Sequence, residues 1–427
     1  MRLLPARFWL QHPWRTLVLS AAAIAACLWG GGCKNGTFSL ADGGAAVAAG
    51  ANHALEVGPG FTDVSPHQLV RTKAGVLYAF APECSSYPAC PSNALRAYRG
   101  AVEAAPGTFA LADAAHQPRG DIGTAAVAID GADKVHVLFT ERSDGGSAKY
   151  AVFDTASDTW GGAEVIESTG WTTFGQGDEG AAIAVDAAGT PHAAWTYSSG
   201  GALHVHWAMR TAGRWSLPSQ LDDAPLAPNH NTWHPTLAFA PGGELWIAWL
   251  DGSTNYAPDG TIRTRRRAGD GTWTPSLAIA EPAMTGIDNG PSLLVTADGV
   301  AHLTFCNTKN QIRYWYEAGQ GWQGDRQPAA QVTHNPSLGP DGAGGVYIYG
   351  HGAPSDGTLD GHGDNLYRLH RPAGAASWSE WTLYANGAFD SSVTTRWSQF
   401  FHYLPTTLDV GYWANDYPNV LWIGSER

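Results

Sequence analysis

Charge is what this sequence has least of. Only 15% of its 427 residues are Asp, Glu, Lys or Arg, against roughly a quarter in an average globular chain. Long solvated helices are therefore not expected. Lysine is the scarcest cation, with five in the whole chain, and the one run of basic residues is Arg265-Arg266-Arg267. Together with a formal net charge of −13, this gives no basic stripe for a polyanion, and nucleic acid is not an expected partner. Cysteine is sparse as well. There are five, none in a C-x-x-C pair, so no thiolate zinc site is expected. Past residue 32 no apolar run approaches the ~20 residues of a membrane-spanning helix. Heptads are missing too. Those two absences exclude a polytopic membrane protein and a coiled coil.

Turn formers and aromatics are abundant instead. Gly 52, Pro 26 and Trp 19 describe many short elements joined by tight turns. A chain of this length need not split, because all-β barrels and propellers run past the usual domain size.

Residues 1–33 read as an export signal. Arg2, Arg7 and Arg15 precede an apolar stretch, Leu17 to Trp29, that is too short and too rich in Ala and Gly to span a membrane. Ile24-Ala25-Ala26-Cys27 resembles a lipobox, which would make Cys27 a lipid anchor; Cys33 is a second candidate. Simple cleavage after a small residue is the alternative. Either route exports the protein, lipid-anchored to a bacterial envelope or secreted, so any membrane contact is through the anchor alone. Residues 34–51 form a Gly/Ala-rich tether, and 52–427 form the folded domain. Cys84 and Cys90 lie close enough to staple one loop by a disulfide in an oxidising compartment, while Cys306 follows an apolar strand as a buried thiol.

An internal repeat organises the domain. Leu69, Val127, Ile183, Leu237, Leu293, Leu338 and Val393 occupy equivalent first-strand positions at intervals of 45 to 58 residues. Alternating second strands follow at 76–80, 135–139, 191–195, 245–249, 301–305 and 346–350, then a third strand and a turn ending in Trp160, Trp215, Trp273, Trp322 or Trp378. Repeats of four short strands predict an all-β fold, a single β-propeller of seven four-stranded blades. The last repeat is incomplete, and the strand at 53–58 is expected to close the ring. The recurring tryptophans are expected to pack between blades.

The strand-turn-strand-turn-Trp plan resembles the sialidase-like propellers built from Asp-box (BNR) repeats. A-G-D-G-T-W (268–273) and T-A-S-D-T-W (155–160) are degenerate forms of their S-x-D-x-G-x-T-W box. The likeness covers 52–427 at the level of architecture. Where sialidases carry Arg-Ile-Pro in the first blade, this chain has Pro66-His67-Gln68. The arginine clamp on a sialic-acid carboxylate is unmatched, and no sialidase activity is assigned.

In such a propeller, residues just ahead of the first strands and just after the second strands share one face, around the channel mouth. The first set holds His67, Asp178, Glu179, Trp233, His234, Asp288, Asn289, His334, Asn335 and Asp390. The second adds Glu141, Arg142, Tyr197, Asp251, Tyr256, Asn307, Lys309, His351, Asp416 and Tyr417. Polar groups there either cap strands and fill a wet channel or form a site for an extracellular glycan. Two chemistries fit a catalytic site. In a polysaccharide lyase, His234 or His334 would be the base, Tyr256 the acid and Arg142 the clamp on a developing enolate; lyases of this broad family are similar in using His and Tyr. In a glycoside hydrolase, Asp178, Glu179 and Asp288 would supply the paired carboxylates. Trp233, outside the register of the recurring tryptophans, is the sugar-stacking candidate, and His67, Asn289, Asn335, Asp251 and His351 are binding candidates. The loop 351–364 carries His351, Asp356, Asp360, His362 and Asp364. It is either a divalent-cation site (Ca2+ or Zn2+) or a solvated run of Asp-Gly turns. The rival function is a non-catalytic surface propeller for recognition or assembly, with a protein partner.

Overall fold

The computed structural model describes residues 53–56, 69–83, 93–100, 109–168, 180–199, 201–222, 231–253, 257–285, 290–309, 311–325, 332–352, 365–386, 408–414 and 420–426. The chain divides into two compact units, Met1–Ala46 and Val47–Arg427, and every described residue belongs to the second.

Alternation of apolar and polar residues between Gly- and Asp-rich turns produces antiparallel meanders and nothing else of length. Among the described residues the one helical element is a single 3-10 turn, Ser143–Gly145. The first sheet runs Leu69–Arg71, Leu77–Glu83, Asn93–Gly100 and Ala110–Ala112. The second runs Ile122–Ile129, Lys134–Glu141 and Ser147–Asp154, with Thr159–Trp160 and Glu164–Ser168 beside its third strand. The third contains Ala181–Val185, Pro191–Ser199, Ala202–Thr211, Arg214–Trp215 and Ser219–Gln220. The fourth has Asn231–Phe239, Leu245–Gly252, Gly260–Arg267 and Leu277–Ala283. The fifth has Ser292–Val295, Ala301–Cys306, Ile312–Glu317 and Gln323–Asp325, and the sixth Val332–Pro340, Val346–Gly352, Asn365–Arg371 and Thr382–Asn386. In the last sheet Leu408–Ala414 pairs with Val420–Glu426, which pairs in turn with the amino-terminal strand His53–Glu56. Val393 lies outside the described residues.

The first six sheets neighbour one another in chain order. Successive meanders packed face to face in this way are the architecture of a β-propeller. The core is accordingly not one mass but a series of apolar layers between sheets. The recurring tryptophans hold these seams. Trp215 meets Tyr150 of the preceding sheet edge-on at 5.1 Å, Trp273 meets Trp207 at 5.2 Å, Trp322 meets Trp246 at 5.6 Å and Trp378 meets Tyr314 at 4.8 Å. Edge-to-face pairs of this kind contribute about 0.5–1.5 kcal/mol beyond the area they bury. The basic triplet serves the same seams: Arg265 lies over Trp273, Arg266 over Trp246 and Arg267 over Trp207. These guanidiniums are committed to packing on aromatic faces.

The first strands of the second and third sheets are rich in Ala and Gly. A Cβ on Gly180 would fall 1.9 Å from Thr196 Oγ1, so this position accepts no side chain. Hydrogen bonds also tie sheet to sheet. The amide of buried Asn93 clamps the first strand of the next sheet, donating to Ile122 O (2.7 Å) and accepting from Ile122 N (2.9 Å). Asn231 Oδ1 accepts from Leu203 N (2.9 Å), and Thr232 Oγ1 donates to Leu203 O (3.1 Å).

Tight turns join first to second strands at the opposite end. Asp130, Asp186 and Asp341 each accept two backbone N–H groups within their own turn. Buried His136 and His192 lie beside Asp130 and Asp186, and buried His302 lies against Thr296 in the corresponding turn of the fifth sheet. His136 Nδ1 meets Tyr150 OH at 2.6 Å, and His302 Nδ1 meets Tyr314 OH at 2.6 Å. Burial pushes His136 below the usual imidazole range and takes His192 and His302 down to about 4. These three histidines are neutral framework groups at neutral pH.

Candidate functional site

Antiparallel pairing brings the start of each first strand and the finish of each second strand to one rim. Ile122 pairs with Glu141, Thr232 with Asp251, and His334 with His351. Among the described candidates, those at the start of first strands and at the finish of second strands therefore share one end of their sheets.

A repeated ion pair dominates this rim. On the third strand, the residue opposite the fifth residue of each aligned second strand is Arg96 (opposite Ala81), Lys149 (Phe139), His206 (Trp195), Arg263 (Trp249) and Arg313 (Phe305). Two residues beyond those second-strand positions stand Glu83, Glu141, Tyr197, Asp251 and Asn307. Arg96 Nε lies 3.1 Å from Glu83, Lys149 Nζ bonds Glu141, and Arg263 Nε donates to Asp251 at 2.6 Å. Where the second strand lacks an acid, the preceding sheet supplies one. Glu281 receives Arg313 at 2.8 Å and Asn307 Nδ2 at 3.0 Å. Partly buried pairs like these satisfy each other, and removing one member leaves a charge uncompensated.

The third sheet also takes its acid from the preceding sheet, as Glu167, but differs from these four in the base. An imidazole, His206, replaces the permanent cation and a phenol, Tyr197, replaces the acid. The two rings stack 4.2 Å apart at 12°. Glu167 of the second sheet accepts Trp195 Nε1–H (2.8 Å) and lies 2.8 Å from His206 Nδ1. Two residues away on the same strand, His204 Nδ1 lies 2.7 Å from Asp222. Asp222 is itself buried and is held by Val205 N (2.8 Å) and Gln220 Nε2 (3.1 Å). Because alternate strand residues share a face, both imidazoles look toward the second sheet.

The fourth sheet carries a second departure. His234 is buried and has φ +52°, in the left-handed region. The other non-glycine residues with positive φ, Asp113, Asp133, Asp158 and Ala212, all sit in turns. His234 alone of these lies inside a strand, Asn231–Phe239, at a register shift between Trp233 and Thr236 and just ahead of Pro235. Such a conformation costs of order 1–3 kcal/mol, and strained residues of this kind cluster at functional sites. Trp233 is half-buried, its ring 5.9 Å from that of His234 and packed on the apolar layer shared with the fifth sheet. Its Nε1 is buried without a hydrogen-bond partner.

Among the sequence candidates, the structure thus gathers Trp233, His234 and Asp251 at the rim of the fourth sheet. Arg142 and Glu141 stand at the second. Arg142 is engaged by Asp121, through Nη2 at 2.6 Å and Nε at 3.0 Å. Of His334, Asn335 and His351 the backbone alone is described. His67, Asp178, Glu179, Tyr256, Asp288 and Asn289 lie outside the described residues, as do Cys27, Cys84, Cys90 and loop residues 353–364. Four residues were not singled out from sequence: Glu167, His204, His206 and Asp222. The available signal was the repeat itself, since His206 falls where the first, second, fourth and fifth sheets place Arg or Lys.

No family model matches the chain, and no curated protein matches it. Among solved structures it is similar to a lectin from Burkholderia pseudomallei, at 15% identity over 86% of this chain and 98% of the lectin, with a TM-score of 0.59. It is also similar to a polysaccharide lyase described as an ulvan lyase, at 11% identity over 86% of this chain and 94% of that one, TM-score 0.50. The polysaccharide lyase Uly1 aligns at 13% identity over 90% and 91%, TM-score 0.49. At these identities the shared property is the β-propeller fold.

Proposed function

We propose that this chain is an exported propeller that binds an extracellular glycan at the rim where first strands begin and second strands end, and acts on it with imidazole chemistry. The observation that carries the reading is the coincidence of two local exceptions on adjacent sheets. The third sheet places an imidazole, His206, stacked on Tyr197, where four other sheets place Arg or Lys, and the fourth holds His234 in a strained backbone beside a half-buried Trp233. In a lyase, an imidazole oriented by a carboxylate removes the proton next to a uronate carboxyl group, and a cation steadies the enolate. In a hydrolase the work falls to Asp178, Glu179 and Asp288. The leader at 1–33, with Cys27 as the acylated residue, and the tether 34–51 would hold the propeller 52–427 at the envelope.

The test is a panel of plant, algal and bacterial polysaccharides, followed by ultraviolet absorbance of unsaturated uronate and by reducing ends. Both signals together identify a lyase, and reducing ends alone a hydrolase. A second reading, recognition without cleavage, is favoured by the mutual neutralisation of Glu83–Arg96, Asp251–Arg263 and Glu281–Arg313. It predicts saturable glycan binding with neither product. Absence of both binding and products across the panel would sink the glycan reading.

A further inference from the structure

We propose that the rim of the third sheet holds an uncharged sugar unit, whose hydroxyl hydrogens are donated to Nε2 of His204 and of His206. Glu167 and Asp222 are the positioning residues that keep these rings in the tautomer with hydrogen on Nδ1. The inference rests on the glycan reading and adds to it the class of sugar taken at this place.

His204 and His206 stand two apart in the strand Ala202–Thr211, on the face opposite Val205 and Trp207, which pack into the layer shared with the fourth sheet. His206 Nδ1 lies 2.8 Å from Glu167 of the second sheet, and His204 Nδ1 lies 2.7 Å from Asp222. A carboxylate oxygen only accepts, so the hydrogen in each contact belongs to Nδ1, and the neutral ring then carries its lone pair on Nε2. Glu167 is fixed in turn by Trp195 Nε1–H (2.8 Å), and Asp222 by Val205 N (2.8 Å). Gln220 Nε2, 3.2 Å from His204 Nδ1, donates to the same Asp222 oxygen at 3.1 Å. No described residue bonds either imidazole Nε2, and neither is among the sealed, unpartnered polar atoms of the interior. Both therefore face solvent as acceptors. Each serves its own hydroxyl, so the two need not meet at one atom.

Charge then selects the ligand. Arg96–Glu83, Lys149–Glu141, Arg263–Asp251 and Arg313–Glu281 each join one cation to one carboxylate, and each pair is neutral as a whole. With neutral rings, His206–Glu167 and His204–Asp222 each keep the negative charge of the carboxylate. The cations around them are already held, Lys149 by Glu141, Arg142 by Asp121 and Arg210 by Glu164. A uronate or sulfated unit would meet lone pairs and charge of its own sign. A sugar hydroxyl instead supplies the hydrogen that Nε2 lacks, and the carboxylate behind each ring polarises the bond in the favourable sense. Sites built to pair with a hydroxyl discriminate strongly, because a ligand without that hydrogen leaves their polar groups unpaired.

The experiment uses the full chain with isotopically labelled histidine, observed by long-range proton–nitrogen correlation at about pH 8, above the ordinary imidazole range. His204 and His206 should show the Nδ1–H tautomer in the native chain, and Glu167→Ala should return His206 to the Nε2–H form. Neutral gluco-, galacto-, manno- and xylo-oligosaccharides are then titrated beside oligouronates and sulfated oligosaccharides. A neutral oligosaccharide should shift the imidazole nitrogen signals, and the anionic ones should not. Glu167→Ala and His206→Phe, checked for folding by thermal melting, should weaken the neutral ligand about tenfold or more. The Nε2–H tautomer in the native chain, glycan binding that leaves both imidazoles unshifted, or tighter binding of the anionic oligosaccharides at these rings would overturn the inference and leave the glycan reading standing. Binding of no glycan at all would remove both.

Discussion

Tyr197 covers one face of His206, ring on ring at 4.2 Å, while Glu167 reaches the edge of the same imidazole from the neighbouring sheet. Two groups, one from its own sheet and one from the neighbouring sheet, thereby fix this ring in position and plane. At the matching place in the second sheet stands a lysine–glutamate pair.

Restoring that pair separates framework from function. The double variant Tyr197→Glu with His206→Arg should fold with a melting temperature within a few degrees of the parent, since the other rims are built this way. Glycan affinity or turnover should fall by about tenfold or more. A variant that keeps full glycan activity would remove His206 from the site.

At His234 the backbone supplies the test. Asn tolerates the left-handed region better than most residues, so His234→Asn should leave thermal unfolding nearly unchanged while removing the imidazole. Binding or cleavage should drop about tenfold or more. Retained activity with retained fold would make the strained residue a framework feature.

Acid should destabilise the fold in a defined window. His192 and His302 titrate at about 4 when folded, held down by burial, and near 6.5 when unfolded. Between those values the unfolded chain binds more protons, so stability is complete above pH 6.5 and falls as pH drops toward 4. Each group contributes on the order of 3 kcal/mol to that loss. His192→Phe, which keeps an aromatic ring against Trp207 and Phe239, should flatten denaturant midpoints across the window. An equally steep profile in the variant would contradict the assignment.

The seam tryptophans should be costly to remove. Trp322 packs edge-on against Trp246 and donates from Nε1 to Thr264 Oγ1 at 3.0 Å. Trp322→Ala should destabilise by about 3–5 kcal/mol, the range for large aromatics cut back to alanine. Urea unfolding read by fluorescence measures it.

Asn93 should behave similarly for a different reason. Asn93→Ala leaves both Ile122 N and Ile122 O without the partners they have now. A cost of about 1–3 kcal/mol per stranded buried group is expected, visible as faster hydrogen exchange at Ile122.

The strands and their order were legible in sequence because period-two alternation and a recurring Trp are local signals. So was the seam role of Trp215, Trp273, Trp322 and Trp378, which follows from recurrence at one repeat position. The Asp-box likeness was readable only in part. Asp270 does bond Thr272 inside its own hairpin, through N and Oγ1. Asp158, in the other matched box, instead receives Tyr78 OH and Arg99 from the first sheet. Partners that cross from one sheet to the next leave no short-range trace. Glu167 is 39 residues from His206, and Glu281 is 32 from Arg313. The register that joins them is set by the packing of whole sheets. The left-handed backbone of His234 was equally silent, because Trp-His-Pro names a bend without stating its sense.

The pairing of His53–Glu56 with Val420–Glu426 sets an order of events in time. The strand His53–Glu56 must wait, uncommitted, until a segment more than 360 residues later has been made. Closing so long a loop costs only slightly more entropy than closing one half its length, but contacts this distant in sequence form late. The sheet that joins these distant strands is thus expected among the last to form. A delayed partner there leaves an open strand edge, and that edge is where a neighbouring chain would pair by mistake.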